Sequence, residues 1–248
     1  MSLKLALKRA LLRYGYCIRH VPSGGVTGSD PFEDKHRLTC SPCPVVFDIG
    51  ANIGQTMQQF RRYFKTPEIH SFEPGEDAFQ KLTKNTIGLG GVHIVNSGMG
   101  ARRETKTFGE NQESVMSSFL EPGEDAWGSV VTRRALQLDT VDDYCERSNI
   151  GHIDILKSDT QGYDLEVLRG ASRMLSEGNV SLVYLEVTFS KMYRGSPRFD
   201  ELYGFLADHG MTLVSFYEMH YQRDSLSWTD ALFTNGRRGS NNGRPVAS

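Results

Sequence analysis

The sequence predicts an α/β fold in which a mostly parallel, seven-stranded sheet carries helices on both faces. From residue 45 onward, apolar runs typical of buried strands alternate with amphipathic stretches. The first apolar run ends in the glycine turn "DIGANIG" (48–54), typical of folds that bind ligands at the carboxyl ends of their strands. The last two strands lie close together with no crossover helix between them, which indicates an antiparallel hairpin.

The first half of this fold follows the chain in order. The predicted strands are "PVVFDIG" (44–50), "EIHSFEP" (68–74) and "VHIVNSG" (92–98). The helices between them are "GQTMQQFRRYF" (54–64) and "EDAFQKLTKN" (76–85). "TKTFGE" (105–110) and "VVTRRALQ" (130–137) are predicted as extra β segments. The stretch "NQESVMSSFLEPGEDAW" (111–127) between them has no core periodicity, and we interpret it as a lid or acceptor-facing loop.

The second half continues the alternation of helices and strands. Helices are predicted for "DTVDDYCERSN" (139–149), "DLEVLRGASRMLSEG" (164–178) and "RFDELYGFLADHG" (198–210). Strands are predicted for "IDILKSD" (153–159), "VSLVYLEVTF" (180–189), "MTLVSFYE" (211–218) and "DALFTN" (230–235).

Composition and charge suit one main domain with decorated ends. We predict an amino-terminal helix and linker at 1–43, the main domain at 44–235 and a disordered tail at 236–248. Residues 1–29 carry five basic residues and no acid, in a helical pattern that either caps the domain or contacts an anionic membrane surface peripherally. The net charge of −2 argues against nucleic acid, and no apolar run is long enough to span a bilayer.

Four cysteines bear on metal and redox chemistry. Cys40 and Cys43 form a C-x-x-C, but a structural zinc site needs two further ligands at matching spacing, and none is visible. A redox C-x-x-C opens a helix, whereas this one runs into a predicted strand. A reducing, cytoplasmic setting is the simplest interpretation.

The glycine turn itself separates three kinds of ligand. A phosphate loop requires a lysine after the second glycine, where this chain has Gln55 and Thr56. A nicotinamide loop requires a glycine where Asn52 stands. Asp48 at the strand mouth would repel pyrophosphate but can accept hydrogen bonds from an ammonium group. Glu73 ends the second strand, where an acid can take both ribose hydroxyls of an adenosine. The pattern favours S-adenosylmethionine over a nicotinamide.

"FDIGANIGQT", "HSFEP", "LDTVDDY", "IDILKSDTQGYDLEVLRGA" and "YLEVTF" resemble, in order and spacing, the FkbM-like S-adenosylmethionine-dependent methyltransferases over residues 44–235. The resemblance implies a class I methyltransferase (Rossmann-like) fold with strand order 3-2-1-4-5-7-6 and strand seven antiparallel. It also implies methyl transfer, most often to a hydroxyl oxygen of a sugar or natural product. The chain departs from the family at Ser158 and Gln161, and the second change lowers the local negative charge, which leaves a divalent metal without support.

Within that fold, the cofactor residues are those at the carboxyl ends of the first three strands. The loop after the first strand wraps the methionine half, Glu73 holds the ribose, and the turn after strand three borders the adenine. The predicted residues are Asp48, Gly50, Ala51, Asn52, Gly54, Glu73, Asn96, Ser97 and Gly98.

Three residues are candidates for the acceptor side. Asp159, at the end of the fourth strand, is the first choice as general base, although it can equally cap the next turn or contact the cofactor. Glu186 ends the fifth strand and serves as base or orienting group, with a buried ion pair as its alternative. His220 can also accept a proton, although a lone loop histidine is usually only solvated. Lys157 is predicted to be structural, and Ser117 and Ser118 match a serine pair of the family.

Two other functions remain open from sequence alone. A nicotinamide-dependent oxidoreductase is disfavoured by Asn52, and a catalytically silent cofactor-binding module is disfavoured by the retained Glu73, Asp159 and Glu186. A nucleic-acid methyltransferase of the amino-methylating kind is expected to carry a [DN]-P-P-[YFW] motif where this chain has "DTQG". The partner that the family resemblance implies is a small-molecule or glycan acceptor.

Overall fold

A computed structural model of the chain describes residues 7, 10–11, 13–14, 27–39 and 41–236. Most of the predicted amino-terminal basic helix, the tail from residue 237, Cys17 and Cys40 lie outside these residues. The first helix that is described completely is α1 (Pro31–Leu38). The side chain of Asp30 caps its first turn by accepting hydrogen bonds from the backbone N–H groups of Phe32 and Glu33. None of the described helices is long and apolar enough to cross a membrane.

The central sheet contains seven strands. They are β1 (Val45–Ile49), β2 (Glu68–Phe72), β3 (Val92–Val95), β7 (Ile153–Ser158), β8 (Val180–Thr188), β9 (Met211–Gln222) and β10 (Ser225–Asn235). Their order is β3-β2-β1-β7-β8-β10-β9, with β10 antiparallel to both of its neighbours. The predicted order 3-2-1-4-5-7-6 and the antiparallel last strand are both confirmed.

Helices cover the two faces of this sheet, so that its central strands are buried on both sides. They are α2 (Gln55–Tyr63), α3 (Glu76–Thr86), α4 (Val141–Arg147), α5 (Asp164–Arg169), α6 (Ser172–Ser176) and α7 (Phe199–Asp208). One apolar cluster lies around Phe47, Leu156 and Val183, and the other around Phe60, Ile155 and Leu182. Alternate residues of the same strands thus point into opposite cores.

A small second sheet confirms the predicted extra β segments. It consists of β4 (Gly98–Met99), β6 (Val130–Asp139) and β5 (Glu104–Asn111), in the order β4-β6-β5. A short 3₁₀ helix (Ser114–Met116) lies in the connection between β5 and β6. We call residues 112–129, which join these two strands, the lid segment.

The single helix predicted for 164–178 is wrong, because the structure has two short helices there. Asp142 takes the place of the missing helical turn: its backbone N–H donates to the carbonyl of Gly170, and its carboxylate accepts from the backbone N–H groups of Arg173 and Met174. A Cβ at Gly170 would lie 2.1 Å from the carbonyl oxygen of Gly100, so only glycine permits this close approach.

Candidate functional site

Five of the nine predicted cofactor residues line one cleft at the carboxyl ends of β1, β2 and β7. The cleft encloses about 590 Å³ of empty space, including its mouth, which suits a small-molecule site. Phe72 and Met99 form apolar walls, and the lid segment covers it with Val115 and Phe119. The predicted residues that line it are Gly50, Asn52, Glu73, Ser97, Gly98 and Asp159.

Glu73 is held so that its carboxylate faces the cleft with capacity to spare. One oxygen accepts from the backbone N–H of Asn52 at 2.8 Å and the other from the backbone N–H of Gly75 at 2.7 Å. A carboxylate has about four lone-pair sites, so each oxygen retains one for a further donor. Burial raises the pKa of Glu73 to about 7, although the two backbone donors work in the opposite direction. The group fits the two hydroxyls of a ribose.

The loop after β1 is shaped by Gly50 and Asn52, which both have positive φ. A Cβ on Gly50 would lie 2.0 Å from the carbonyl oxygen of Asp159, so the loop can approach β7 only with glycine at this position. The side-chain oxygen of Asn52 accepts from the Ser114 hydroxyl at 3.2 Å. This contact joins the loop to the lid segment.

Asp48, Ala51 and Gly54 support the loop without lining the cleft. Asp48 is fully buried, and its carboxylate lies 3.0 Å from the ammonium of Lys157. That ammonium also donates to the carbonyl of Gly50 at 2.9 Å and lies 3.6 Å from the Asp159 carboxylate. Burial lowers the pKa of Lys157, but Asp48 and Asp159 outweigh burial and raise it above the usual range. The lysine therefore carries charge and ties three parts of the site together.

Lys157 is one functional residue whose role the sequence interpretation understated. Lys157 was predicted only to be structural, but its ammonium lies 3.6 Å from the Asp159 carboxylate. The available signal was a lysine within a buried strand, because a buried cation needs an anionic partner. Asp48 on the neighbouring strand, directly opposite Lys157 in register, is that partner.

In the turn after β3, one predicted residue stabilises the fold and two line the cleft. Asn96 donates from its side-chain amide to the carbonyl of Glu73 at 2.9 Å, so it fixes the end of β2. Ser97 and Gly98 reach the cleft itself. Phe119 of the lid segment packs against Gly98.

Asp159 and Glu186 are brought together by a residue that the sequence interpretation did not assign. The side-chain amide of Gln161 donates to Asp159 at 2.8 Å and lies 3.4 Å from Glu186. Its carbonyl oxygen accepts from the Tyr193 hydroxyl at 2.7 Å. Gln161 also adopts a positive φ, which aims the amide between the two carboxylates. An amide separates two acids here that would otherwise repel each other.

Glu186 differs from Asp159 in its surroundings. Burial, followed by the charges of Asp159, Asp164 and Asp230, raises the pKa of Glu186 well above its usual value. A raised pKa favours the protonated carboxyl, which can donate a hydrogen bond. Asp159 is the more exposed of the predicted acids in the cleft and borders the cofactor loop.

His220 lies apart from this cleft. It falls within β9 rather than after the strand, because β9 and β10 extend further than predicted, to Gln222 and from Ser225. Its ring stacks on Trp228 at 4.6 Å between centroids, and Trp228 in turn contacts Trp127 of the lid segment at 5.5 Å. The side chain is therefore part of an exposed aromatic wall.

The lid segment is attached to the acceptor side by Ser118, which is buried. Its hydroxyl donates to the carbonyl of Gln161 at 2.8 Å, and its backbone pairs with Gly109. Met116 packs with Met192 and Tyr193 in a small apolar cluster. Ser117 lines the cleft, as the proposed acceptor-facing role requires.

The chain matches the family model described as the methyltransferase FkbM domain over residues 48–213. A characterised relative, the 2-O-methyltransferase NoeI of Sinorhizobium fredii, is 26% identical over 171 residues, covering 62% of this chain and 67% of that protein.

Two of the similar solved structures have low sequence identity to this chain. An rRNA methylase from Streptococcus thermophilus has a TM-score of 0.47 at 10% identity, covering 84% of this chain and 97% of that one. Methanococcus jannaschii fibrillarin has a TM-score of 0.48 at 12% identity, covering 79% of this chain and 68% of that one. Similarity at this level does not bear on the substrate.

Proposed function

We propose that this chain, which belongs to the FkbM methyltransferase family, methylates a hydroxyl oxygen of a sugar, glycan or glycosylated natural product. The family membership makes it an S-adenosylmethionine-dependent methyltransferase and decides against a nicotinamide-dependent oxidoreductase. The observation that carries the proposal is that Asp159 and Glu73 line the same cleft. A carboxylate suited to accept a hydroxyl proton thus borders the cofactor site.

The residues of the cleft fit the cofactor. Glu73 has a free lone pair on each oxygen for the ribose hydroxyls, and Gly50 and Asn52 of the glycine loop line the same cleft. Phe119 of the lid segment lines the cleft and offers an aromatic ring for contact with the adenine. When bound, S-adenosylmethionine supplies an electrophilic methyl group on its sulfonium sulfur.

On the acceptor side, the chain contributes a base and its supports. Asp159 accepts the proton of the acceptor hydroxyl as that oxygen forms its new bond to the methyl carbon and the methyl–sulfur bond breaks. The amide of Gln161 and the ammonium of Lys157 hold the Asp159 carboxylate in place. Glu186 orients the acceptor by hydrogen bonding to one of its hydroxyl groups.

The substrate class rests on two further supports. The relative NoeI is named as a 2-O-methyltransferase. The aromatic wall of Trp127, Trp228 and His220 lies beside the acceptor side and offers the ring faces on which sugars stack. Trp228 pairs with Thr188, which is two residues beyond Glu186 on β8, so the wall lies near Glu186.

The test combines cofactor binding with turnover. Protein incubated with radiolabelled S-adenosylmethionine and a panel of glycans, nucleotide sugars and phenolic glycosides is expected to label a hydroxyl-bearing acceptor. Asp159→Asn is expected to lower kcat at least about a hundredfold while calorimetry shows unchanged binding of S-adenosylhomocysteine.

Control variants separate the possible failures. Glu124→Gln changes an acid of the lid segment whose side chain is 79% exposed, and it is expected to leave both readouts unchanged. Cofactor binding without labelling of any acceptor would support the silent-module alternative. Full turnover by Asp159→Asn would exclude Asp159 as the base.

A further inference from the structure

A cluster of two histidines and one glutamate lies on β2 and β3, away from the methyl-transfer cleft. Glu68 and His70 are two residues apart on β2 and therefore share one face of the sheet. His93 on β3 is the direct register partner of His70. One ligand atom from each of the three side chains lies within 4.8 Å of the others. His70 lies three residues before Glu73, which corresponds to about 10 Å along the strand at roughly 3.3 Å per residue.

The spacing of the ligand atoms suits a tetrahedral metal ion. The carboxylate oxygen of Glu68 lies 3.5 Å from Nε2 of His70 and 3.5 Å from Nε2 of His93. For metal–ligand bonds of 2.0–2.2 Å, the edge of a tetrahedron is about 3.4 Å. Two edges of the coordination polyhedron are therefore already close to their final length.

The ring of His70 is held in place by a hydrogen bond at the nitrogen that faces away from Glu68. Its Nδ1 lies 2.9 Å from the hydroxyl of Tyr144, and a histidine that binds a metal through one nitrogen is usually held through the other. Its Nε2 is buried and has no hydrogen-bond partner among the described residues. Since a buried polar atom without a partner costs about 1–3 kcal/mol, that atom points to a ligand.

The remaining two ligands provide access for the ion. The side chains of Glu68 and His93 are each 52% exposed, so an ion can enter from solvent and keep a water as its fourth ligand. The rings of His70 and His93 are stacked at 4.5 Å. The exposed His93 has room to turn its nitrogen out of the stack toward the ion.

We propose that Glu68, His70 and His93 form a binding site for a divalent transition-metal ion, of which Zn²⁺ is the best match. Two imidazoles and one carboxylate are ligands that suit Zn²⁺, Ni²⁺ and Cu²⁺, whereas Ca²⁺ and Mg²⁺ prefer sets made of oxygen alone. The site is independent of the methyl-transfer chemistry. It joins β2 to the edge strand β3 by a cross-link that hydrogen bonds alone do not provide.

The experiment uses the full chain with any affinity tag removed. Calorimetry with Zn²⁺ is expected to give one ion per chain, and Co²⁺ is expected to give the visible absorption bands of a tetrahedral site. Thermal denaturation is expected to shift upward with Zn²⁺ and to return to its original midpoint with chelator. Absence of saturable binding of either ion would overturn the proposal.

Variants assign the ion to these residues. His93→Gln changes an exposed side chain and is expected to weaken Zn²⁺ binding at least tenfold without affecting folding, and Glu68→Gln is expected to weaken it to a smaller degree. His36→Gln removes an exposed histidine elsewhere and is the matched control. Cys43→Ser tests whether the exposed thiol of Cys43 binds the Zn²⁺ instead. Binding that survives His93→Gln, or that is lost in Cys43→Ser, contradicts the assignment.

Discussion

At the scale of single residues, Lys157 contacts three different parts of the candidate site. It neutralises a fully buried Asp48, holds the carbonyl of Gly50 and approaches Asp159. Removing one partner of a buried ion pair leaves the other charged and unpaired, which costs about 3–5 kcal/mol. The same side chain therefore links the stability of β1 and β7 to the shape of the cofactor loop.

Lys157→Met is expected to lower the free energy of unfolding by about 3–5 kcal/mol and to weaken binding of S-adenosylhomocysteine. Urea denaturation and calorimetry at about pH 7 measure the two effects. Combining it with Asp48→Asn is expected to recover part of the stability, because both members of the pair are then neutral. Lys191→Met removes an exposed lysine paired with Glu124 and is expected to change stability by less than about 1 kcal/mol. Equal urea midpoints for Lys157→Met and Lys191→Met would contradict this account.

Glu73 makes cofactor binding depend on pH. Burial raises its pKa to about 7 in the free protein, whereas ribose hydroxyls that donate to it favour the ionised form in the complex. The pKa is thus lower in the complex than in the free protein, so affinity is fully present above about pH 7 and is lost as the pH falls through that value.

The affinity for S-adenosylhomocysteine is expected to fall by up to about tenfold per pH unit below pH 7. Calorimetry between about pH 5.5 and 8 measures this. Glu73→Gln cannot ionise and is expected to bind weakly with little pH dependence over the same range. A flat profile for the unaltered protein would show that the carboxylate does not contact the ribose.

At the scale of elements, the lid segment is fastened at a few points and covers the cleft. Ser114 contacts Asn52, Ser118 contacts Gln161, and the backbone of residue 123 pairs with that of Met192. Val115, Ser117 and Phe119 line the cleft in which we propose that the cofactor binds. We expect a bound cofactor to stabilise the contacts of this segment.

Hydrogen–deuterium exchange tests the lid segment directly. Amides of residues 112–121 are expected to exchange at least about fivefold more slowly with saturating S-adenosylhomocysteine, because the ligand adds contacts beneath them. Ser118→Ala is expected to speed exchange there in the free protein. Amides of α4, none of whose residues lines the cleft, serve as the internal control. Unchanged lid exchange on ligand binding would mean that the segment does not close over the cofactor.

The sequence predicted elements well where burial decides the structure and less well where contacts between distant segments decide it. The apolar runs of β1, β7 and β8 are buried on both faces, so their pattern alone identifies them. The break between α5 and α6 depends on Asp142, which is distant in sequence, and the outer end of the β9–β10 hairpin is polar and exposed. No local pattern encodes either feature.

The same distinction applies to the candidate site. Glu73 and the glycine loop were predictable because fold and spacing place them together at strand ends. Gln161 was not assigned, since its role depends on the Tyr193 hydroxyl and on a positive φ that bring its amide between two acids. His220 was placed in a loop because the hairpin was predicted to be too short.

At the scale of the whole molecule, α1 packs against the main domain and shares its core. Phe32 lies 5.4 Å from Phe60 between ring centroids, and the carboxylate of Asp34 accepts from the Tyr217 hydroxyl at 2.7 Å. Lys35 is fully buried, with its ammonium 3.8 Å from the centroid of Phe32 and 3.5 Å from that of Tyr184. We propose that residues 27–39 fold together with the methyltransferase domain that follows them.

Lys35 makes this attachment sensitive to pH. Its ammonium has no hydrogen-bond partner among the described residues, and burial lowers its pKa from 10.5 to about 7. The aromatic faces offset only part of the cost of burying the charge. Because the unfolded chain holds the proton up to about pH 10.5, this group adds stability as the pH rises from about 7 toward that value, and the gain is lost as the pH falls through 7.

Lys35→Met keeps the packing and removes the charge, so it is expected to raise the free energy of unfolding at pH 7 by about 1–4 kcal/mol. The difference from the unaltered protein is expected to shrink at about pH 9, where the lysine is neutral in the folded state and costs less. Urea denaturation at the two pH values gives both differences, and titrations common to the two proteins cancel. Lys81→Met, on the exposed side of α3, is expected to differ little from the unaltered protein at either pH. If Lys35→Met changed the free energy of unfolding by the same amount at both pH values, Lys35 would keep its proton in the folded protein up to about pH 9. The aromatic rings of Phe32 and Tyr184 would then stabilise the buried ammonium.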